Sequence, residues 1–269
     1  DLHSFPTRRS SDLNAAAGVL TIHDLAFLDA PDFLAPGDAR LPELVRLSAH
    51  RAAVVCTPTQ AVADVAADRL ELPPDKIAVT PLGVDPAWFT ARPPSEALAR
   101  RVGLPSEYLL FVGAAGPRKA LAWLLKAYDI TPDLPPLVLV GPGHTGVPDR
   151  VRAVGYLSDV DLRSVVAGAS ALVLPSRDEG FGLPVLEAMA ADVPVVCSDV
   201  PALREVSGGH ATLVPFGDSE AMGAALTAAV AASASLETLT ARRAHAAEFT
   251  WHRCAELTVD AYRRAVEAP

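Results

Sequence analysis

Glu179 and Glu187 carry the strongest chemical signal in this chain, with seven residues between them in the string SRDEGFGLPVLEAMA. Gly180 and Gly182 stand beside the first acid. Lacking a Cβ, they allow a sharp loop that presents backbone N–H groups to a ligand. Such groups, with a helix N-terminus behind them, favour an anion such as a phosphate. A carboxylate in the same loop can accept hydrogen bonds from sugar hydroxyls, and a second can take the two hydroxyls of a ribose. A tight strand-to-helix turn with a solvated Glu179 and a surface Glu187 would leave the same residues in place.

A second constellation runs from Gly113 to Lys119, where a glycine turn is followed by Arg118 and Lys119 at the expected start of a helix. Cations there oppose the helix dipole, so the placement is slightly unfavourable unless an anion is bound. A diphosphate would be held by the N–H groups and both cations and stabilised as a leaving group. A solvated basic helix start is the alternative. His23, in Ile22-His23-Asp24-Leu25, ends a strand-like run, where a lone histidine is more often structural. The other histidines show no ligand spacing, and Asp159-Val160-Asp161 reads as a helix cap with a first-turn acid, Asp159 being the cap. No metal site is expected.

The elements that must position these groups follow from periodicity. Residues 171–174 form a buried strand, residues 176–182 a loop, 183 to about 191 a helix, and 194–198 a second strand. This βαβ unit puts the loop at the carboxyl edge of a parallel sheet, where open α/β folds bind ligands. Strands at 19–22, 53–56 and 77–80 alternate with helices at 41–51 and 60–70. Residues 86–104, rich in proline, read as a linker. A second series has strands at 108–112, 137–140 and 154–156, helices at 119–128 and 159–166, a strand at 211–214, and helices at 218–232, 235–248 and 251–266. Alternation of this kind implies a doubly wound α/β fold.

EGFGLPVLEAMA, followed by PVVCSDVPALREVSGG, resembles the donor-site signature of the retaining glycosyltransferase family 4, the glycosyltransferase group 1 family. GAAGPRKAL is similar to the family's glycine, arginine and lysine turn, with Gly116 where many members carry Glu or Lys. IHDL, CTPTQAV and PLGVD match, in order, the end of the family's N-terminal domain. The resemblance implies the GT-B architecture, two Rossmann-like domains with the active site between them. Here it implies a complete C-terminal domain at 89–250 and the second half of an N-terminal, acceptor-side domain at 14–88. A terminal helix at 251–269, opened by Trp251, would cross back to the N-terminal domain. Residues 1–13, DLHSFPTRRSSDL, resemble a translated sequencing adapter or a disordered tail, and the chain is expected to be N-terminally truncated.

For individual residues the resemblance implies that Arg118 and Lys119 meet the donor diphosphate and Glu179 the sugar. Gly113, Gly180, Phe181, Gly182 and Leu183 would bind the donor, and Glu187 the ribose. The backbone of Val154, Gly155 and Tyr156 would read the base, and His23 would lie near the anomeric carbon on the acceptor side. The implied activity is transfer of a mannosyl- or glucosyl-type group from a nucleotide-diphosphate sugar to a carbohydrate or lipid-linked acceptor hydroxyl, with retention, in polysaccharide or glycolipid synthesis. No cofactor or metal is expected beyond that donor. The rival readings are a nucleotide-sugar-binding fragment without turnover and a sugar-nucleotide epimerase, which would lack the EGFGLPVLEA string.

Composition narrows the field. Half of the 269 residues are hydrophobic and 20% are charged, as in a globular protein, and the net charge of −9 argues against nucleic-acid partners. No apolar run reaches the length of a membrane span. Peripheral membrane contact stays open. Cys56, Cys197 and Cys254 are isolated, which fits reduced thiols in a cytoplasmic protein.

Overall fold

Val54–Thr57 has four apolar or β-branched side chains in a row, and all four are buried, as a strand covered on both faces requires. In the computed structural model, which describes residues 17–34, 37–232 and 235–267, this strand is the centre of a parallel three-stranded sheet. Its neighbours are β1 (Val19–Thr21) and β3 (Ile77–Val79), with β2 being Val54–Thr57. Helices α1 (Leu41–Arg51) and α2 (Gln60–Arg69) connect them. Thr59 caps α2, its hydroxyl accepting from Val62 N at 3.2 Å. Ile22, Val55, Val62, Ala66 and Leu70 fill the core under the helices. The tail expected at residues 1–13 lies outside the described residues.

The stretch expected to be a linker carries structure instead. Asp85 caps a 3-10 turn at Pro86–Thr90 that buries Trp88, and Ser95 caps α3 (Glu96–Val102). Both caps are side-chain acceptors for a free N–H, a signal that the prolines nearby obscured.

The second sheet has six parallel strands: β4 (Leu109–Val112), β5 (Leu137–Val140), β6 (Val151–Gly155), β7 (Ala171–Leu174), β8 (Val195–Ser198) and β9 (Thr212–Val214). Their order is β6-β5-β4-β7-β8-β9. The chain therefore winds outward one way from β4 and then the other way from β7. Alternate residues face opposite cores: Leu110, Val138 and Leu172 one way, and Leu109, Leu137 and Val173 the other. Helices α4 (Leu121–Asp129) and α8 (Ser219–Ala231) cover the second face. The first is covered by α5 (Asp159–Ala167), α6 (Leu183–Ala190), α7 (Pro201–Ser207) and α9 (Leu236–Ala247).

Three expectations are corrected. Helix α7 was not foreseen, because it is short and begins at Pro201. Ser158 rather than Asp159 caps α5, its hydroxyl accepting from Asp161 N, and Asp159 occupies the first turn. The helix after Gly113 starts at Leu121; Arg118 and Lys119 stand before it in a separate 3-10 turn at Pro117–Lys119. The break is at Ala120, whose left-handed φ of 46° interrupts helical geometry.

Helix α10 (Trp251–Glu267) returns to the smaller sheet, where Ala261 and Ala265 press on Val54 and Cys56. Small side chains on the helix let it lie close to the strands. Among the described residues no single helix is long and apolar enough to cross a membrane. The cysteines are free, with Cys56 and Cys197 buried and Cys254 partly so.

Candidate functional site

The point where the winding reverses, between β4 and β7, leaves a crevice at the strands' carboxyl ends. Two loops enter it: Gly113 to Ala120 after β4, and Pro175 to Gly182 after β7. They are tied together by Arg177 N donating to Arg118 O at 2.8 Å. Sequence reasoning treated Arg118–Lys119 and Glu179 as two sites, and the strand order makes them one. Arg118 Nη1 donates to Glu179 Oε2 at 2.9 Å, and Lys119 Nζ donates to Glu179 Oε1. Ser176 Oγ donates to the same Oε1 at 2.6 Å. Burial alone would raise the Glu179 carboxyl, but the charges of Lys119 and Arg118 and the hydrogen bonds from Lys119 and Ser176 outweigh it and hold it below its ordinary value.

Next along the loop, Gly180, Phe181 and Gly182 are buried, yet their N–H groups make no backbone hydrogen bond among the described residues. The three residues line a cleft, where donors without a protein partner are open to a ligand. Gly180 needs to be glycine: a Cβ there would sit 1.8 Å from the carbonyl oxygen of His23. Gly182 has φ 93° and heads α6 with no side-chain cap; Pro184 has no N–H to offer and Val185 N donates to Gly182 O at 2.9 Å. His23, exposed at the end of β1, lines a cleft of about 160 Å³ together with Asp24, Arg118, Glu179, Gly180, Phe181 and Leu183. The smaller sheet thus brings His23 to the loop of the larger one. On the other side of Glu179 a cavity of about 240 Å³ is walled by Leu25, Val62 and Val200, with Asp29 and Asp178 beside them. Burial raises the Asp178 carboxyl to about 6, Asp24 adding to the rise and Arg118 opposing it.

Glu187 was expected in the same crevice as Glu179, but its charged neighbours are different. It is half-buried on α6 with no ion pair among the described residues, and it faces Asp159 and Arg163 of α5. Burial raises its carboxyl to about 7, Asp159 contributing and Arg163 opposing. Val154, Gly155 and Tyr156 stand at the end of edge strand β6, which leads into α5, with Tyr156 82% exposed. Gly155 has φ 78°, which turns the chain away from the sheet at that point. The sequence missed His144, whose Nε2 donates to Gly113 O at 2.8 Å and braces the first loop. Nothing in its spacing reports that contact. Among the described residues no group of three His, Cys, Asp or Glu side chains could hold a metal ion.

The crevice therefore presents two cations with free N–H groups beside them, and Glu187 on α6 offers a carboxylate with no ion pair among the described residues. Residues 106–232 match the family described as glycosyl transferases group 1. The O-antigen chain mannosyltransferase B of Escherichia coli is 32% identical over 91% of this chain and 70% of the relative. The D-inositol 3-phosphate glycosyltransferase of Stackebrandtia nassauensis is 33% identical over 78% of this chain, which spans only 54% of that relative. Among solved structures, sucrose-phosphate synthase from Thermosynechococcus elongatus superposes with a TM-score of 0.74 at 23% identity, covering 93% of this chain and 68% of the other. Anabaena HepE in complex with UDP gives 0.72 at 19%, covering 90% and 71%. The fold is accordingly of the GT-B type, and the chain belongs to the glycosyl transferases group 1 family.

Proposed function

We propose that the crevice binds a nucleotide-diphosphate sugar and that the protein moves a hexosyl group from it to an acceptor hydroxyl with retention of configuration. The observation that carries this reading is that Arg118 shares one cleft with Gly180, Phe181 and Gly182, whose N–H groups have no protein partner among the described residues, and that Lys119 pairs with Glu179 of the same cleft. That set suits an anion flanked by a polyhydroxylated group. A diphosphate would take Arg118 and Lys119, lowering the energy of the leaving group as charge develops on it. Glu179, whose buried carboxylate aligns both cations, has one acceptor site left, on Oε2, for a sugar hydroxyl, and the Gly180–Gly182 amides would hold the sugar beside it. Glu187 would accept from the ribose, and the exposed end of β6 at Val154–Tyr156 would meet the base. His23, on the facing sheet, would orient the sugar at the anomeric carbon. The arrangement fits substitution on one face through an oxocarbenium-like state, driven by positioning and electrostatics. The relatives' printed names, a mannosyltransferase and a D-inositol 3-phosphate glycosyltransferase, support a glycosyl donor; the acceptor proposed is a carbohydrate or lipid-linked hydroxyl. No cofactor or metal enters this scheme.

Calorimetric titration with UDP and GDP tests it. Binding of one nucleotide that Arg118→Ala/Lys119→Ala abolishes is the expected result. Titrations that are flat for both nucleotides in the unmodified chain would overturn the donor site. Binding with no transfer to any acceptor would mark the chain as a donor-binding unit.

A further inference from the structure

The N-terminus of α2 belongs to the smaller sheet but is satisfied by the larger one. Its first free N–H groups, Gln60 N and Ala61 N, donate to the two carboxylate oxygens of Glu205 on α7 at 2.8 and 2.9 Å. A carboxylate on a helix N-terminus is favoured by both hydrogen bonding and the helix dipole. The cap itself also reaches across. The Thr59 hydroxyl accepts from Val62 N, and its own proton goes to Gly180 O at 2.9 Å. Thr59 is 1% exposed, so this contact lies in the closed seam.

The consequence follows from peptide geometry. The peptide between Gly180 and Phe181 is trans, so its C=O and N–H point in opposite directions. By holding the carbonyl, Thr59 aims the Phe181 N–H away from itself. That N–H is one of the free donors of the loop, and Phe181 lines the cleft with Arg118 and His23. We propose that Thr59 and Glu205 are positioning residues, through which closure of the two sheets sets the donor loop. Thr59 orients the Gly180–Phe181 peptide, and Glu205 fixes the helix start that carries Thr59. This rests on the reading of the loop as the sugar-holding part of a donor site.

The test compares bare nucleotides with nucleotide sugars, using UDP against UDP-glucose and GDP against GDP-mannose as probes, in Thr59→Val, Thr59→Ser and Glu205→Ala. A positioning role weakens the sugar nucleotide about three- to tenfold in Thr59→Val, the weight of one hydrogen bond. The bare nucleotide stays within about twofold and Thr59→Ser restores the difference. Glu205 is exposed, so Glu205→Ala tests the seam without touching the core, and it should shift the same ratio in the same direction. Equal weakening of both probes, or no rescue by serine, overturns the proposal. If the unmodified chain binds no probe, the donor reading fails, and the clasp is judged by amide exchange alone. Faster exchange at residues 60–62 together with 177 and 185, whose N–H groups are bonded at either end of the loop, in Glu205→Ala sustains it, and unchanged exchange overturns it.

Discussion

Glu179, in the loop after β7, and Glu187, on the second turn of α6, are both largely covered by protein, yet they are held in opposite states. Glu179 is the more buried, 9% exposed, and is kept ionised by Arg118, Lys119 and Ser176. Glu187 is less buried, has no pair among the described residues, and titrates near 7. Burial pushes both carboxyls the same way; partners decide the outcome. The two regions are prepared for complementary ligand groups. One presents cations and N–H donors that an anion and its neighbouring hydroxyls can share, and the other presents a carboxylate acceptor that a pair of hydroxyl donors would satisfy.

Breaking the first region should have the largest effect. Lys119→Met leaves Glu179 a buried charge with only Arg118 opposite it. A loss of about 2–3 kcal/mol is expected, less than for an isolated buried pair because Arg118 remains and Lys119 is 18% exposed. Urea unfolding measures it. The second change Glu179→Gln in the same chain should recover most of that loss, since a neutral amide needs no cation. If Lys119→Met/Glu179→Gln is less stable than Lys119→Met, the charge is not what the cluster exists to hold.

The second region should respond through pH. The folded Glu187 carboxyl titrates near 7, above its ordinary 4.5. As pH rises through that window the unfolded chain loses this proton first, so the folded state loses stability and the whole cost is present above about 7. Glu187→Gln removes that slope and should make the protein more stable above about pH 7 by on the order of 1–2 kcal/mol. The proposed ribose contact adds a functional sign. A diol donating to the carboxylate favours its ionised form, so affinity for a nucleotide sugar should rise with pH up to about 7 and then level off. A nucleotide sugar is the right probe because its doubly esterified diphosphate does not itself titrate there. Affinity flat over that range, or equal slopes in the parent and Glu187→Gln, would remove Glu187 from the site.

The local units were legible in the sequence because local chemistry specifies them. The strand–loop–helix–strand around EGFGLP, the Asp218 cap on α8 and the limits of α1 follow from apolar runs, glycine and cap residues. What stayed hidden depends on strand order. Arg118 and Glu179 meet because β4 pairs with β7 rather than with the strand that follows it alone, and no spacing reports that. The same holds for Glu205 at the start of α2 and for His144 on Gly113. Glu187 was placed correctly on its helix, but its neighbours come from α5, so its state could not be read from α6.

Ser176 separates charge from hydrogen bonding within the first region. It is fully buried and donates to Glu179 Oε1, while the Ser198 hydroxyl donates to its backbone carbonyl and holds the loop from the other side. Ser176→Ala deletes the side-chain bond and leaves the backbone contact and both cations in place. With Lys119 still on Oε1, the carboxylate keeps a partner on each oxygen and stays ionised. The expected loss is about 1 kcal/mol, the net weight of one buried hydrogen bond, with nucleotide affinity changed less than about threefold. Urea midpoints and calorimetry on the same preparation read both. A loss as large as that of Lys119→Met would mean that the hydroxyl, not the cations, governs Glu179, and the contrast with Glu187 would then lie in hydrogen bonding rather than in charge.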